Sequence, residues 1–287
     1  MEKKPEWLKV LYNKDAVEAI ANMMKDLGLN TVCKEANCPN IGECYKKHTA
    51  TFMILGSRCT RNCSFCNVTC AKPEDIDPEE PMHVAEAVKK LDLRHVVVTS
   101  VTRDDLSDGG AEHFAKTIRA IKSVSPNVTV EVLIPDLKGS EAALDTVLDA
   151  CPDVLNHNVE AVKELYPLVR PQATYERSLG VLSYCKKKAP NMFTKTGFMV
   201  GLGETDEQIY TLMDDILATG CDILTIGQYL RPSKEHAELK RYLTPEEFEH
   251  YKKIALEKGF KYVASTPLAR SSYQAFEALK TVTEGIK

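Results

Sequence analysis

The sequence reads as an α/β chain whose six strand–helix units form a parallel barrel, complete or incomplete. Two observations lead there. From Thr51 onward, short apolar runs alternate with segments of helical period, the order of a parallel sheet with crossover helices. The 287 residues, 44% of them hydrophobic, also suffice for one large core.

Strands fall at 51–55, 95–99, 129–134, 154–158, 196–200 and 223–227. Between them, Val84, Ala87, Val88 and Leu91 keep helical spacing, as do Ile209, Leu212, Met213, Ile216 and Leu217 before a stop at Gly220. Thr244, Pro245 and Glu247 make a helix start in which the hydroxyl caps and the carboxylate reaches back, with Gly259 as the stop. In a barrel of this kind chemistry sits at the carboxyl ends of the strands. Residues 1–50 lack the alternation and read as an extension packed on the barrel mouth.

Charge narrows the function. The formal net charge of −4 provides no global positive field, so neither a nucleic-acid nor an acidic-membrane partner is expected. No apolar run approaches a membrane span, and the charged start is unlike a signal, so the expected location is cytoplasmic.

There are 10 cysteines, and a reducing compartment disfavours reading them as disulfides. Cys33, Cys38, Cys44, Cys59, Cys63, Cys66 and Cys70 crowd together, whereas Cys151, Cys185 and Cys221 stand apart and read as small core hydrophobes. Cys59, Cys63 and Cys66 have the spacing C-x3-C-x2-C directly after the first strand. Three thiolates so placed can hold three corners of a four-iron cluster and leave the fourth iron open to a small ligand. Cys33, Cys38 and Cys44, interrupted by Pro39 and Gly42, look like a second such triplet on a loop. Two alternatives stay open at this point. One is structural zinc, although neither triplet shows the paired C-x2-C units usual there. The other is a ferredoxin-like electron carrier, because Cys70 extends the run to C-x3-C-x2-C-x3-C.

At these residues the sequence resembles the radical S-adenosylmethionine (SAM) superfamily and, within it, the lipoyl synthase family. The stretch from Thr31 to Cys44 is similar to that family's auxiliary-cluster motif, and Thr51-Phe-Met-Ile-Leu-Gly with Arg58-Cys-Thr-Arg61 to its approach to the first cysteine. Further similar blocks are Val98 to Leu106, Gly109-Gly110, Glu131 to Asp136, Asn156-His-Asn158, Gly201 to Glu204 and Arg270-Ser-Ser-Tyr273.

The resemblance implies a partial (β/α)6 TIM-type barrel at 51–260, an N-terminal extension at 1–50 carrying an auxiliary iron–sulfur cluster, and a C-terminal extension at 261–287 over the barrel mouth. It implies two 4Fe–4S clusters, with SAM as cosubstrate. The cluster on Cys59, Cys63 and Cys66 cleaves SAM, and the resulting 5′-deoxyadenosyl radical removes hydrogen from carbons 6 and 8 of an octanoyl group amide-linked to lysine. The cluster on Cys33, Cys38 and Cys44, with Ser272 as an additional ligand, is the sulfur source. The implied partners are an octanoylated lipoyl-carrier domain and a low-potential electron donor of ferredoxin or flavodoxin type. The alternatives are a biotin-synthase-like sulfur inserter acting on a small molecule and a non-enzymatic iron–sulfur protein.

Secondary positions follow. Thr99 and Ser100 lie where such an enzyme holds the methionine part of its cosubstrate. Glu131 and Asn158, read as closing the third and fourth strands, are candidates for the ribose or aminoacyl group, Phe65 for adenine or for core packing, and Arg231 for a carboxylate. Arg103, Asp104 and Asp105 read equally as a solvated, salt-bridged loop. Gly201-x-Gly203 reads as a tight turn facing the nucleoside, since Asp206 stands where a dinucleotide motif needs its third glycine. Three positions depart from the family pattern: Cys70 where many members have glycine, Tyr45 for a common tryptophan, and Asn67 for a frequent aspartate.

Overall fold

The computed structural model describes residues 4–8, 29–31, 40 and 49–285. Ten strands occur among them. They are β1 (Asn30–Thr31), β2 (Thr49–Ile54), β3 (Arg58–Cys59), β4 (Thr69–Cys70), β5 (His95–Ser100), β6 (Thr129–Leu133), β7 (Val154–Asn156), β8 (Phe193–Val200), β9 (Ile223–Gln228) and β10 (Tyr262–Thr266). The helices are α1 (Glu80–Lys90), α2 (Ala111–Val124), α3 (Glu141–Leu148), α4 (Tyr166–Val169), α5 (Tyr175–Lys188), α6 (Asp206–Ala218), α7 (Pro245–Lys258) and α8 (Ala275–Glu284).

The main sheet runs β1-β2-β5-β6-β7-β8-β9-β10, every pair parallel except the antiparallel β1–β2. All six expected strands are present. β10 adds a seventh parallel strand by pairing Tyr262 to Thr266 with Ile223 to Gly227, so the sheet continues past position 260. Among the described residues β2 and β10 do not pair with each other, and the sheet remains an open, partial barrel. β1 covers the β2 edge.

Side-chain alternation explains the layers. Val96 and Val98 of β5, and Val130 and Val132 of β6, join Val84, Val88, Phe114 and Ile118 of the surrounding helices in one core cluster. Phe198, Val200, Leu224 and Ile226 do the same with Ile209, Met213 and Phe248 on the other half. The alternate residues point into the barrel. At the amino ends of the strands, Ala278, Leu279 and Val282 of α8 pack on Val154 and Ile223, and the Phe276 ring lies 6.3 Å from that of His95. Helix α8 thus floors the barrel and leaves its mouth at the carboxyl ends of the strands.

The helix starts obey local chemistry. Thr244 and Glu247 form the expected capping box of α7, and Thr205 with Gln208 makes another for α6. Of the three isolated cysteines, Cys185 and Cys221 are buried as expected. Cys151 is exposed, because it lies in the turn after α3 with φ 57° rather than in a packed element. No helix among the described residues is long and apolar enough to cross a membrane.

Candidate cluster and cosubstrate site

The loop carrying Cys59, Cys63 and Cys66 leaves the carboxyl end of β2 through the small ribbon β3–β4, so it lies at the barrel mouth. Its path is fixed by hydrogen bonds to several neighbouring elements. Thr60 N donates to Thr102 O (3.0 Å), Ser64 N to Val169 O (3.1 Å), Asn62 N to Gln172 Oε1 (2.7 Å) and Ala237 N to Ser64 O (2.8 Å). His236 Nε2 donates to Cys66 O (3.0 Å), a tautomer matched by Ser233 Oγ at Nδ1 (2.8 Å).

The three thiols share one environment. Burial pushes the Cys63 thiol up, with Arg170 opposing. Burial, opposed by a backbone hydrogen bond from Val68 and helped by Cys63 and Cys59, pushes Cys66 up to about 12. Cys59 Sγ also accepts the amides of Arg61 (3.4 Å) and Thr102 (3.3 Å). This donor set fits an iron–sulfur cluster: three thiols on one loop, one of them already receiving two N–H groups. Loading must release protons from the half-buried thiols. Cys70, paired with Cys59 across β3–β4, is exposed.

Beside the loop lie polar atoms suited to a bound ligand. Ser100 Oγ and Asn158 Oδ1 are buried and have no protein hydrogen-bond partner among the described residues. Thr99 is less available, since its hydroxyl donates to Leu133 O (2.8 Å). Phe65 packs with Ala161, Val169, Leu202, Tyr229 and Ala237, an apolar surface next to Cys66. Arg231 turns back on its own loop and donates to the carbonyls of His236 (3.0 Å) and Lys234 (2.5 Å). Gly201 does form a tight turn, with φ 101°, and a Cβ there would lie 2.3 Å from Gln228 Nε2.

Three sequence readings are corrected. Glu131 is not at the end of its strand but in the middle of β6, buried, with its oxygens engaged by Lys195 Nζ (3.0 and 3.2 Å) and Asn156 Nδ2 (3.1 Å). Burial alone would raise its carboxyl, yet Lys195 and His95 outweigh this and hold it at about 2. The fourth strand ends at Asn156, so Asn158 lies in the loop beyond it. The stretch from Arg103 to Asp105 is salt-bridged as read, Arg103 donating to the exposed Asp105 (2.8 Å), but Arg103 itself is not solvated, being 3% exposed and donating also to Leu55 O (3.3 Å).

The sequence reading passed over Glu160 and Arg170. Glu160 holds φ 73°, in the left-handed region costly for a side-chain-bearing residue, and accepts from Asn158 Nδ2 (3.1 Å). Burial pushes its carboxyl up, with Arg170 opposing. Arg170 is buried and donates to Asn158 O (3.0 Å), Tyr166 Oη (3.3 Å) and Ser178 Oγ (3.2 Å). The available signal was proximity, since Glu160 lies two residues past the Asn156-His-Asn158 block.

The C-terminal segment crosses the inner face of β9. Gln228 N donates to Pro267 O (3.3 Å), and the backbone passes so close to Gly227 that a Cβ there would lie 2.3 Å from Ala269 O. Arg270 to Tyr273 form a turn, Tyr273 N donating to Arg270 O (2.8 Å). Within it Asn158 Nδ2 donates to Ser271 Oγ (2.6 Å), and Ser272 is half-buried alongside. Asn40 Nδ2 reaches the same segment at Leu268 O (2.7 Å). Cys33, Cys38 and Cys44 lie outside the described residues.

Comparison with known proteins agrees with this geometry. The family described as the Radical SAM superfamily matches residues 53–216. Lipoyl synthase of Caldanaerobacter subterraneus subsp. tengcongensis is 56% identical over 273 residues, 95% of this chain and 96% of the relative. Lipoyl synthase of Caldicellulosiruptor saccharolyticus is 55% identical over 281 residues, 98% of this chain and 99% of the relative. In three dimensions the fold is similar to that of HydG, a maturase of the FeFe-hydrogenase, with TM-score 0.62, 12% identity and coverage of 95% of this chain and 67% of the other.

Proposed function

This chain belongs to the lipoyl synthase family of the radical SAM superfamily, and from that premise we propose that it inserts sulfur at carbons 6 and 8 of an octanoyl-lysine, drawing the sulfur from an auxiliary cluster on Cys33, Cys38 and Cys44. The enzyme class is that of a radical SAM lipoyl synthase, with a 4Fe–4S cluster, SAM and a lipoyl-carrier protein substrate. The observation that carries the site is that Cys59, Cys63 and Cys66 share one short loop at the barrel mouth, where Thr102 N, two residues past Ser100, donates to Cys59 Sγ.

When bound, the cluster on these thiols supplies the electron that cleaves SAM to a radical able to break an unactivated C–H bond, a step no acid–base residue can start. An electron donor of ferredoxin or flavodoxin type completes the proposal. The protein's own part is to hold and enclose. Ser100 and Asn158 offer polar contacts for the cosubstrate, Arg170 a fixed positive charge for its carboxylate, and Phe65 an apolar face. The α8 floor and the barrel wall keep water and other hydrogen donors from the reacting carbon.

Ser272 fits the auxiliary ligand better than Ser271 does, because the Ser271 hydroxyl is taken by Asn158. The Asn40 contact with Leu268 supports an approach of the N-terminal triplet to this segment, Asn40 lying between Cys38 and Cys44. Ser272 would hold the auxiliary cluster through an oxygen, a harder donor than thiolate and so a weaker ligand for its iron than the three cysteines.

The test is anaerobic reconstitution of the full chain, followed by reductant, SAM and an octanoyl-lysine peptide. The expected result is about eight iron and eight sulfide per chain, with 5′-deoxyadenosine and a peptide gaining sulfur at both carbons. Deoxyadenosine without sulfur transfer would contradict the proposal.

A further inference from the structure

The loop between Cys59 and Cys63 contains one buried cation that the reaction as described leaves without a task. Arg61 is 5% exposed. Its Nε and one terminal nitrogen fork onto Asp104 (2.6 and 2.9 Å), and both terminal nitrogens fork onto Asp136 (2.9 and 2.8 Å). Asp104 follows β5 and Asp136 follows β6, so one side chain staples the loop to the mouths of two successive strands. Asp136 is itself held in place by Lys138 N (3.1 Å) and Arg177 Nη1 (3.3 Å). Placing Arg61 and Asp136 out of water is unfavourable unless their geometry is fully used, and here both Asp136 and the half-buried Asp104 are engaged through paired N–H donors.

We propose that Arg61 is a positioning residue for the cluster loop: its double fork fixes the backbone between Cys59 and Cys63, and its charge stabilises the reduced state of the cluster those thiols hold. Burial disfavours the guanidinium charge, yet the two carboxylates more than restore it, so the charge is permanent. Lysine has the charge but not the planar fork, which makes the two contributions separable by substitution.

This inference rests on the reading of Cys59, Cys63 and Cys66 as cluster ligands, and the test treats the two parts separately. Hydrogen exchange on the cluster-free full chain reads the staple through the Asn62 and Ser64 amides, which Arg61→Gln and Arg61→Lys should each accelerate by roughly tenfold or more. An EPR redox titration of the reconstituted protein, following the signal that SAM perturbs, reads the charge. Arg61→Gln should move that midpoint to more negative potential, Asp136→Asn to more positive potential, and Arg61→Lys should leave it near wild type. A purely structural role would move Arg61→Gln and Asp136→Asn in the same direction. If Arg61→Gln fails to fold, Asp104→Asn, which keeps the Asp136 fork, replaces it in the exchange measurement, and Arg61→Met replaces it in the titration with the same shift to more negative potential expected. Unchanged exchange, or midpoint shifts of one sign, would overturn the inference. A wild-type loop that binds no cluster would overturn the ligand reading and the charge role with it, while the exchange result would still judge the staple.

Discussion

The cysteine loop at 59–66 and the C-terminal strap at 267–274 meet at the same barrel mouth, yet they are secured differently. The loop is tied by charge and by several elements at once: Arg61 to two strand ends, Ser64 to α4, and His236 to the Cys66 carbonyl. The strap lies on β9 by close backbone approach at Gly227 and accepts hydrogen bonds from Asn40, Asn158 and Gln228. A cofactor that must survive every turnover needs a holder whose geometry does not change. On the proposed function the strap would carry the ligand that lets go of its metal, and single hydrogen bonds of the kind that seat it are individually weak.

The largest effect that would break this contrast is at the loop. Cys66→Ala should abolish 5′-deoxyadenosine formation, and any substantial residual cleavage of SAM would deny the loop its role. At the strap, Ser272→Ala should leave deoxyadenosine formation in place and lower sulfur insertion by roughly tenfold to a hundredfold. Equal loss of both activities would show that strap and loop act as one unit.

Gly227→Ala sharpens the comparison without touching a proposed ligand. Its Cβ would lie 2.3 Å from the Ala269 carbonyl, so the strap must shift, and overpacking of this kind costs about 1 to 3 kcal/mol. Calorimetry should show a lowered melting temperature, and product analysis a sulfur yield that falls more than the deoxyadenosine yield. A variant matching wild type in both would mean that the strap is not seated on β9.

The smallest effect is with pH. The Asp136 carboxyl is held well below its usual range, chiefly by Arg61 against the opposing effect of burial, and His157 is pushed down to about 4 by burial and by Arg170. The histidine is buried neutral, so its contribution begins to fail as pH falls below about 6.5 and is lost progressively toward 4. The Asp136 contribution is complete above about 3.8 and erodes below it. Exchange at residues 60–66, corrected for intrinsic rates, should therefore rise with acid before exchange at 267–274 does. The reverse order would place the acid-labile attachment on the strap.

How much of this was legible in the chain depended on sequence distance. The C-x3-C-x2-C spacing after the first strand and the capping box of α7 are local, and each matches the position the structure gives it. The parallel strands were legible because Val and Ile runs alternate with helical stretches. β10 was missed because Tyr262 to Thr266 is short and only partly apolar, and pairing with β9 makes it a strand. The forks of Arg61 were illegible for another reason: Asp104 and Asp136 lie 43 and 75 residues away, and only the barrel brings them together. Glu131 had the residue type of a ligand-binding carboxylate, but its partner Lys195 lies 64 positions further along the chain. A lone sequence gives no signal for that pairing.

The most direct test uses a full chain in which Cys33, Cys38 and Cys44 are all replaced by alanine, reconstituted anaerobically and examined by EPR before and after SAM is added. The account predicts about four iron per chain, a reduced-cluster signal that changes when SAM binds, and deoxyadenosine without sulfur insertion. A variant that holds no cluster, or whose signal ignores SAM, would contradict it.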